Sequence, residues 1–258
     1  MAAGLIQPTW LGAFRGLWAL TWKAQLTTRR LPLLLATLFV IPAFVYFTVD
    51  EGRTNPFLHW VIDFYLMLLL PLYCLSVCGG MIRDELQADT FGFLATRPMS
   101  RARLFLTKYL CHLIWLEILA AIHGCLLIGV GRAHDIPGIG SLGNLLLAVQ
   151  VLEVVAYGAL SALLGLLHQR YMVLGILYGF IVEMGIGRIP TNINNLSLSR
   201  HLRTILGHDE TIRQVYEWSP EGLGSSVLLM AAAAILFLGL GAVIFTLKEY
   251  HAAEEMQK

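Results

Sequence analysis

Three acids lie where acids are costly. Glu117, Glu153 and Glu183 each fall within a long apolar run, and an ionisable group at bilayer depth carries a penalty of about 2.5–3.5 kcal/mol or more. Facing one another, they would line a polar path through an apolar bundle. The alternative is helix-to-helix hydrogen bonding that staples the bundle. Stapling is the expectation for Glu117 and Glu153; Glu183 stays open between the two. His59 and Asp63 fall near the wet end of one run, and His112 near the surface end of another. Cys74 and Cys78 are four apart and share a helical face, with Cys111, His123 and Cys125 further along. Such soft ligands hold Cu(I) or Zn, but cysteine commonly packs as a small buried apolar residue. No metal site is assigned, and no disulfide framework is expected. No catalytic residue is assigned either. The chain contains neither G-x-x-x-x-G-K-[ST] nor H-E-x-x-H, so it carries no P-loop of its own.

The elements that must hold these residues follow from composition. Of 258 residues, 57% are hydrophobic and 14% charged, against roughly 45–50% and about 25% in soluble domains. Mean hydropathy is +0.68. Such a chain cannot cover itself in water, so most of it is read as lipid-embedded and all-α. The net charge of +1 offers nothing to a nucleic acid, and none is expected as a partner.

Six spans are expected, each near the ~20 apolar residues a crossing needs: Leu31–Val49, Phe57–Ile82, Leu104–Val130, Leu142–Leu167, Tyr171–Gly187 and Leu223–Leu247. Pro42 and Pro71 should kink the first two. Gly175-x-x-x-Gly179 in the fifth signals close helix packing, inside the subunit or at a dimer seam. Before the first span, Trp10, Phe14, Leu17, Trp18 and Thr21 share a helical face, and residues 1–30 read as an amphipathic interfacial helix rather than a cleaved leader. With both termini in the cytoplasm, twelve of the 18 Lys+Arg fall inside and six outside, as the positive-inside rule prefers. Residues 188–222 then form an ordered outer segment with helical pieces at Leu196–Leu206 and Asp209–Trp218. Ser219-Pro220-Glu221 reads as the start of the last helix. The whole of 1–258 is one transmembrane domain.

The longest polar stretch of the first half is Arg83–Lys108, expected in the cytoplasm, with its loop at 83–103. Acids come first (Asp84, Glu85, Asp89), then the apolar set Phe91, Phe93 and Leu94, then Arg97-Pro98. Residues 85–94 can form a short helix that the proline interrupts. Ser100 then caps the next span, with Arg101 and Arg103 at the headgroups. Apolar side chains exposed in such a loop need cover.

This stretch resembles the permease subunits of ABC transporters of the type-2, exporter-type family. The carrying residues are Glu85, Asp89-Thr90, Leu94, Thr96-Arg97-Pro98-Met99-Ser100-Arg101, Leu104 and Lys108; Asp89 stands where the family usually has glycine. Six spans with both ends inside, the amphipathic N-terminal helix and the large outer segment match in layout. Glu183 matches a Glu that ends the fifth span in one branch. The resemblance implies a coupling helix that seats in a separate ATPase subunit through Asp84, Glu85, Asp89, Thr90, Phe91, Phe93, Leu94, Arg97 and Arg101. It implies two copies of that ATPase, a second permease subunit, identical or related, and surrounding lipid. ATP and Mg²⁺ would bind the ATPase, with no cofactor in this chain. Export is the implied direction, across a cell membrane of the bacterial inner-membrane kind, with Glu117, Glu153 and Glu183 as a possible translocation route. The competing readings are a membrane anchor or sensor, and an intramembrane enzyme using His and Glu as acid and base.

Overall fold

The computed structural model describes residues 10–27, 31–87, 99–185, 192–218 and 222–248. Among them every regular element is helical. We number the α-helices α1 (Trp10–Gln25), α2 (Leu31–Thr48), α3 (Thr54–Leu58), α4 (Leu70–Gln87), α5 (Arg101–Ala133), α6 (Ile139–Leu167), α7 (Tyr171–Tyr178), α8 (Leu198–Leu206), α9 (Glu210–Tyr216) and α10 (Leu223–Leu247). Two π-helical stretches, His59–Leu69 and Gly179–Gly185, join α3 to α4 and extend α7.

Four helices are long and apolar enough to cross a membrane: Thr54–Arg83, Arg101–Ala133, Ile139–Leu167 and Leu223–Leu247. They coincide with the second, third, fourth and sixth expected spans. The first and fifth appear as the shorter apolar helices Leu34–Thr48 and Tyr171–Gly185. The chain is thus a multi-pass membrane protein, with four helices of spanning length among the described residues.

Pro71 does not interrupt its helix. A proline lacks the N–H that would bond the carbonyl four residues back, and its ring crowds that carbonyl. The π-helical stretch ends two residues before it, and the Leu70 N–H bonds Tyr65 O, five residues back. The wider turns before it leave room for the proline ring. Pro42 lies inside an unbroken α2.

α6 is the hub. In its apolar window 67% of residues are buried, against 17% for α10. It packs on α4, α5, α7, α8 and α10. Small residues make this possible: Ala156, Ala159, Ser161, Ala162 and Gly165 are all buried. At the α4–α6 crossing, a Cβ on Gly165 would lie 2.0 Å from the Gly79 carbonyl oxygen, so the two backbones are in direct contact. On α7 the two glycines of the GxxxG pair part ways. A Cβ on Gly175 would meet Leu75 of α4 at 2.4 Å, while Gly179 has nothing within 4 Å. Gly175 is therefore a contact inside the subunit, and Gly179 faces open space.

α1 uses the expected face but turns it inward. Leu17 and Thr21 are buried, Phe14 and Trp18 pack against the core, and Trp22 meets Trp115 of α5 edge-on at 4.7 Å. Leu11, Leu20 and Leu26 remain exposed on α1 and just beyond it.

Gly165→Leu is expected to disrupt the α4–α6 crossing, because the obstacle is backbone and cannot rotate away. Gly239→Leu, with nothing within 4 Å of its Cβ, should be neutral. Thermal denaturation of both variants in detergent checks this: Gly165→Leu should aggregate or melt well below wild type, and Gly239→Leu should match it.

Candidate functional site

A helix leaves its last four carbonyls without intrahelical donors. At the end of the bundle where the Arg83–Lys108 segment emerges, cationic side chains supply them. Arg83 Nε of α4 donates to Gly165 O at 3.0 Å, and Lys248 Nζ, just past α10, donates to Leu166 O at 3.1 Å. Both carbonyls belong to the last turn of α6. Lys108 Nζ of α5 donates to Met81 O of α4 at 2.8 Å, and Arg101 Nη1 donates to Lys248 O at 3.0 Å. Arg83 and Lys108 are buried. Positive charge also suits the negative end of the α6 dipole. Burial and the neighbouring Arg83 lower the pKa of the Lys248 ammonium from its ordinary value.

These bonds join α4, α5, α6 and α10 at the two roots of the polar segment. Ser100 caps α5 as expected, its Oγ accepting from the Arg103 N–H at 3.4 Å. Asp84 and Glu85 lie on the last turns of α4. Asp89, Thr90, Phe91, Phe93, Leu94 and Arg97 lie outside the described residues. No sequence signal marked Arg83 or Lys108 as ties, because the carbonyls they reach are up to 82 residues away.

A second polar set lies inside the bundle. Tyr65 hydroxyl donates to Gln150 Oε1 at 2.8 Å and lies 3.2 Å from Ala120 O. Its ring stacks on His123 with centroids 4.4 Å apart. Glu153, one helical turn beyond Gln150, is fully buried; neither carboxylate oxygen has a hydrogen-bond partner among the described residues. Glu117 is half-buried, and its Oε1 is likewise without one. Stapling by these two acids was expected. The stapling is done instead by Tyr65 with Gln150 and by Tyr109, whose hydroxyl donates to Val155 O at 2.9 Å. His112 is buried rather than interfacial, its Nδ1 donating to Lys108 O at 2.8 Å.

Glu183 has a full set of partners. Its Oε2 accepts from Ser197 Oγ at 2.6 Å and from the Ser199 N–H at 2.9 Å, and its Oε1 from the Leu198 N–H at 3.2 Å. Tyr157 and Tyr178 hydroxyls reach the same carboxylate. A buried acid thus occupies the positive N-terminus of α8, whose backbone donors are otherwise orphans. Glu183 is bonded to α8 yet lies close to Glu153, with Tyr157 next to both, and Glu117 and Glu153 are both near Tyr65 and Cys74.

The segment before α10 has the two expected helical pieces. α8 buries Leu198, Leu202, Ile205 and Leu206 against α6 and α10. Asp209 caps α9 by accepting from the Thr211 N–H at 2.9 Å and the Ile212 N–H at 3.2 Å. Tyr216 hydroxyl donates to Asp63 Oδ2 at 3.0 Å, and His59 Nδ1 pairs with the same oxygen at 2.7 Å. Burial and the Asp63 carboxylate push the Tyr216 pKa up. α10 begins at Leu223 with Gly222 at the cap position; the Ser219–Glu221 start signal lies outside the described residues. Cys74 and Cys78 are buried in the core, and Cys74 Sγ lies 3.9 Å from Val154 O. Among the described residues no cluster of His, Cys, Asp and Glu could hold a metal.

The family described as ABC-2 family transporter protein matches residues 29–187. That is more than half of the chain, and the chain belongs to this family. It is an ABC transporter membrane subunit. The ABC-2 membrane domain is a permease component; its ATPase is a separate ABC subunit with which it associates. A comparison with curated proteins returned no match.

Glu183→Ala should orphan the Leu198 and Ser199 N–H groups in a buried site. The cost of about 1–3 kcal/mol corresponds to amide exchange in Leu198–Leu206 faster by roughly one to two orders of magnitude. Hydrogen–deuterium exchange by mass spectrometry reads this directly, and α5 amides should be unaffected.

Proposed function

We propose that this permease is driven through the Arg83–Lys108 segment. A partner ABC ATPase binds ATP and Mg²⁺ and receives the helix around Glu85–Leu94, with Asp84, Asp89, Thr90, Arg97 and Arg101 at its edges. Phe91, Phe93 and Leu94 fill its groove. Closure of two ATPase copies pushes on this foot. The single observation that carries the reading is the set of cationic ties at its roots. Through Arg83, Lys108 and Arg101, a displacement of the foot is delivered to α4, α5, α6 and α10 together rather than to one helix. The Arg83 and Lys108 ties are buried, and charge-assisted bonds in a medium of low dielectric are stiff links; the Arg101 tie is exposed.

The working unit is a dimer of six-span subunits, with this chain paired to a copy or to a related permease. α2 and the Tyr171–Gly185 helix cross as the first and fifth spans. Both termini and the foot face the cytoplasm, and the α8–α9 segment faces outward. The cargo leaves by that outer face, across a bacterial inner membrane. Glu153 and Glu117 are the acids left for a polar route, since Glu183 is engaged with α8.

Glu85→Arg, and separately Phe91→Ala with Phe93→Ala, should reduce transport-linked stimulation of the partner ATPase about tenfold while membrane insertion is unchanged. ATPase assays on the purified complex with cargo extracts measure this. Wild-type stimulation in both variants would remove the coupling reading and favour an anchor. A single cysteine at Ala95 in a cysteine-free chain should react with a membrane-impermeant maleimide only after cells are opened.

A further inference from the structure

A cavity of about 280 Å³ lies between α1, α2, α4 and α5, with Tyr171 at its edge. Small-molecule sites run from about 300 to 1,000 Å³, and liquid water takes about 30 Å³ per molecule, so the space exceeds what one structural water fills. Its lining covers about one turn of each long helix, residues 34–38 of α2, 73–77 of α4 and 115–119 of α5, or about 6 Å at 1.5 Å per residue. Gln25 borders it on the α1 side and Tyr171 at the rim.

The lining divides in two. Leu34, Leu38, Val77, Leu116 and Leu119 give apolar walls. Thr37, Ser76, Tyr73 and Gln25 add hydroxyl and amide groups, and the buried Tyr73 hydroxyl has no hydrogen-bond partner among the described residues. No Asp, Glu, Lys, Arg or His lines it among the described residues. Trp115, 3% exposed, has an enclosed indole Nε1 with no hydrogen-bond partner among the described residues. An indole N–H is a donor only, so the group it lacks is an acceptor. The Tyr171 ring is held at the rim by Gly79, where a Cβ would stand 2.6 Å from it. α1 closes the top through the Trp22–Trp115 contact.

We infer that this cavity binds a single-chain, uncharged amphiphile: an acyl chain along the leucine walls, with an ester or hydroxyl head at the polar groups. A charged headgroup would be desolvated there without a counter-charge. Two sources share this chemistry, a resident lipid of the adjoining leaflet and a transported amphiphile.

The test uses the full chain in nanodiscs of saturated phosphatidylcholine, with dibrominated monoolein as probe and tryptophan fluorescence as readout. Saturable quenching is expected, with a large part of its amplitude lost in Trp115→Phe. Ser76→Phe, which fills the space from an exposed position, and Thr37→Val should each weaken the apparent affinity about fivefold or more. A dibrominated acyl phosphate should bind about tenfold more weakly. Helical circular dichroism and monodisperse elution show that each variant is folded. Quenching that rises linearly with probe and is the same in Ser76→Phe and Thr37→Val reports annular lipid and overturns the proposal; so does equal affinity for the acyl phosphate. With the partner ATPase and ATP added, quenching that reverses on turnover identifies cargo, and quenching that persists identifies a resident lipid. Both results uphold the site, and only this last arm rests on the transport reading.

Discussion

Helix ends at the edge of lipid must have their carbonyls satisfied by the protein itself. In this chain the last turn of α6 ends against α4 and α10, where neighbouring helices surround it. Its orphan carbonyls at Gly165 and Leu166 are met by Arg83 and Lys248. One local requirement thereby becomes a tie between three helices, and Lys108 adds the fourth by reaching Met81. The cations are held because the bonds they make are the ones the backbone needs.

The rest of the bundle is arranged around that hub. α6 can sit at the centre because its small residues let α4 approach to backbone contact at Gly79 and Gly165. Its own polar residues then face inward. Gln150 is matched by Tyr65, and Glu153 is left in the interior without a partner among the described residues. Further along α6 a helix end is met differently. There a carboxylate, Glu183, takes up the N-terminal donors of α8, which packs on α6 and α10. Cations satisfy a helix C-terminus and an acid satisfies a helix N-terminus, as the sign of the helix dipole requires.

Membership of the ABC-2 transporter family places this architecture among machines whose engine lies in another chain. The ties around α6 give a physical account of how a push from outside the bundle would be shared. The amphiphilic cavity under α1 lies on the same side of the molecule, next to those ties rather than among them.

Much was legible from the residues alone. Composition pointed to lipid, and apolar runs of about 20 residues pointed to helices rather than to the shorter alternating strands of a barrel. Apolar run lengths located all the long helices, and the Ser100 cap was readable because it depends on residues three apart. The pairing of the α1 face was half legible: periodicity gave Phe14, Leu17, Trp18 and Thr21, but not that they turn toward α5. What tertiary structure alone decided were contacts between distant positions. These include Arg83 with Gly165, Tyr65 with Gln150, Glu183 with Ser197, and Gly175 rather than Gly179 as the glycine pressed against α4. Local sequence sets which face of a helix is apolar and where it ends. It does not set which neighbour that face meets, and partners 80 residues apart are chosen by packing.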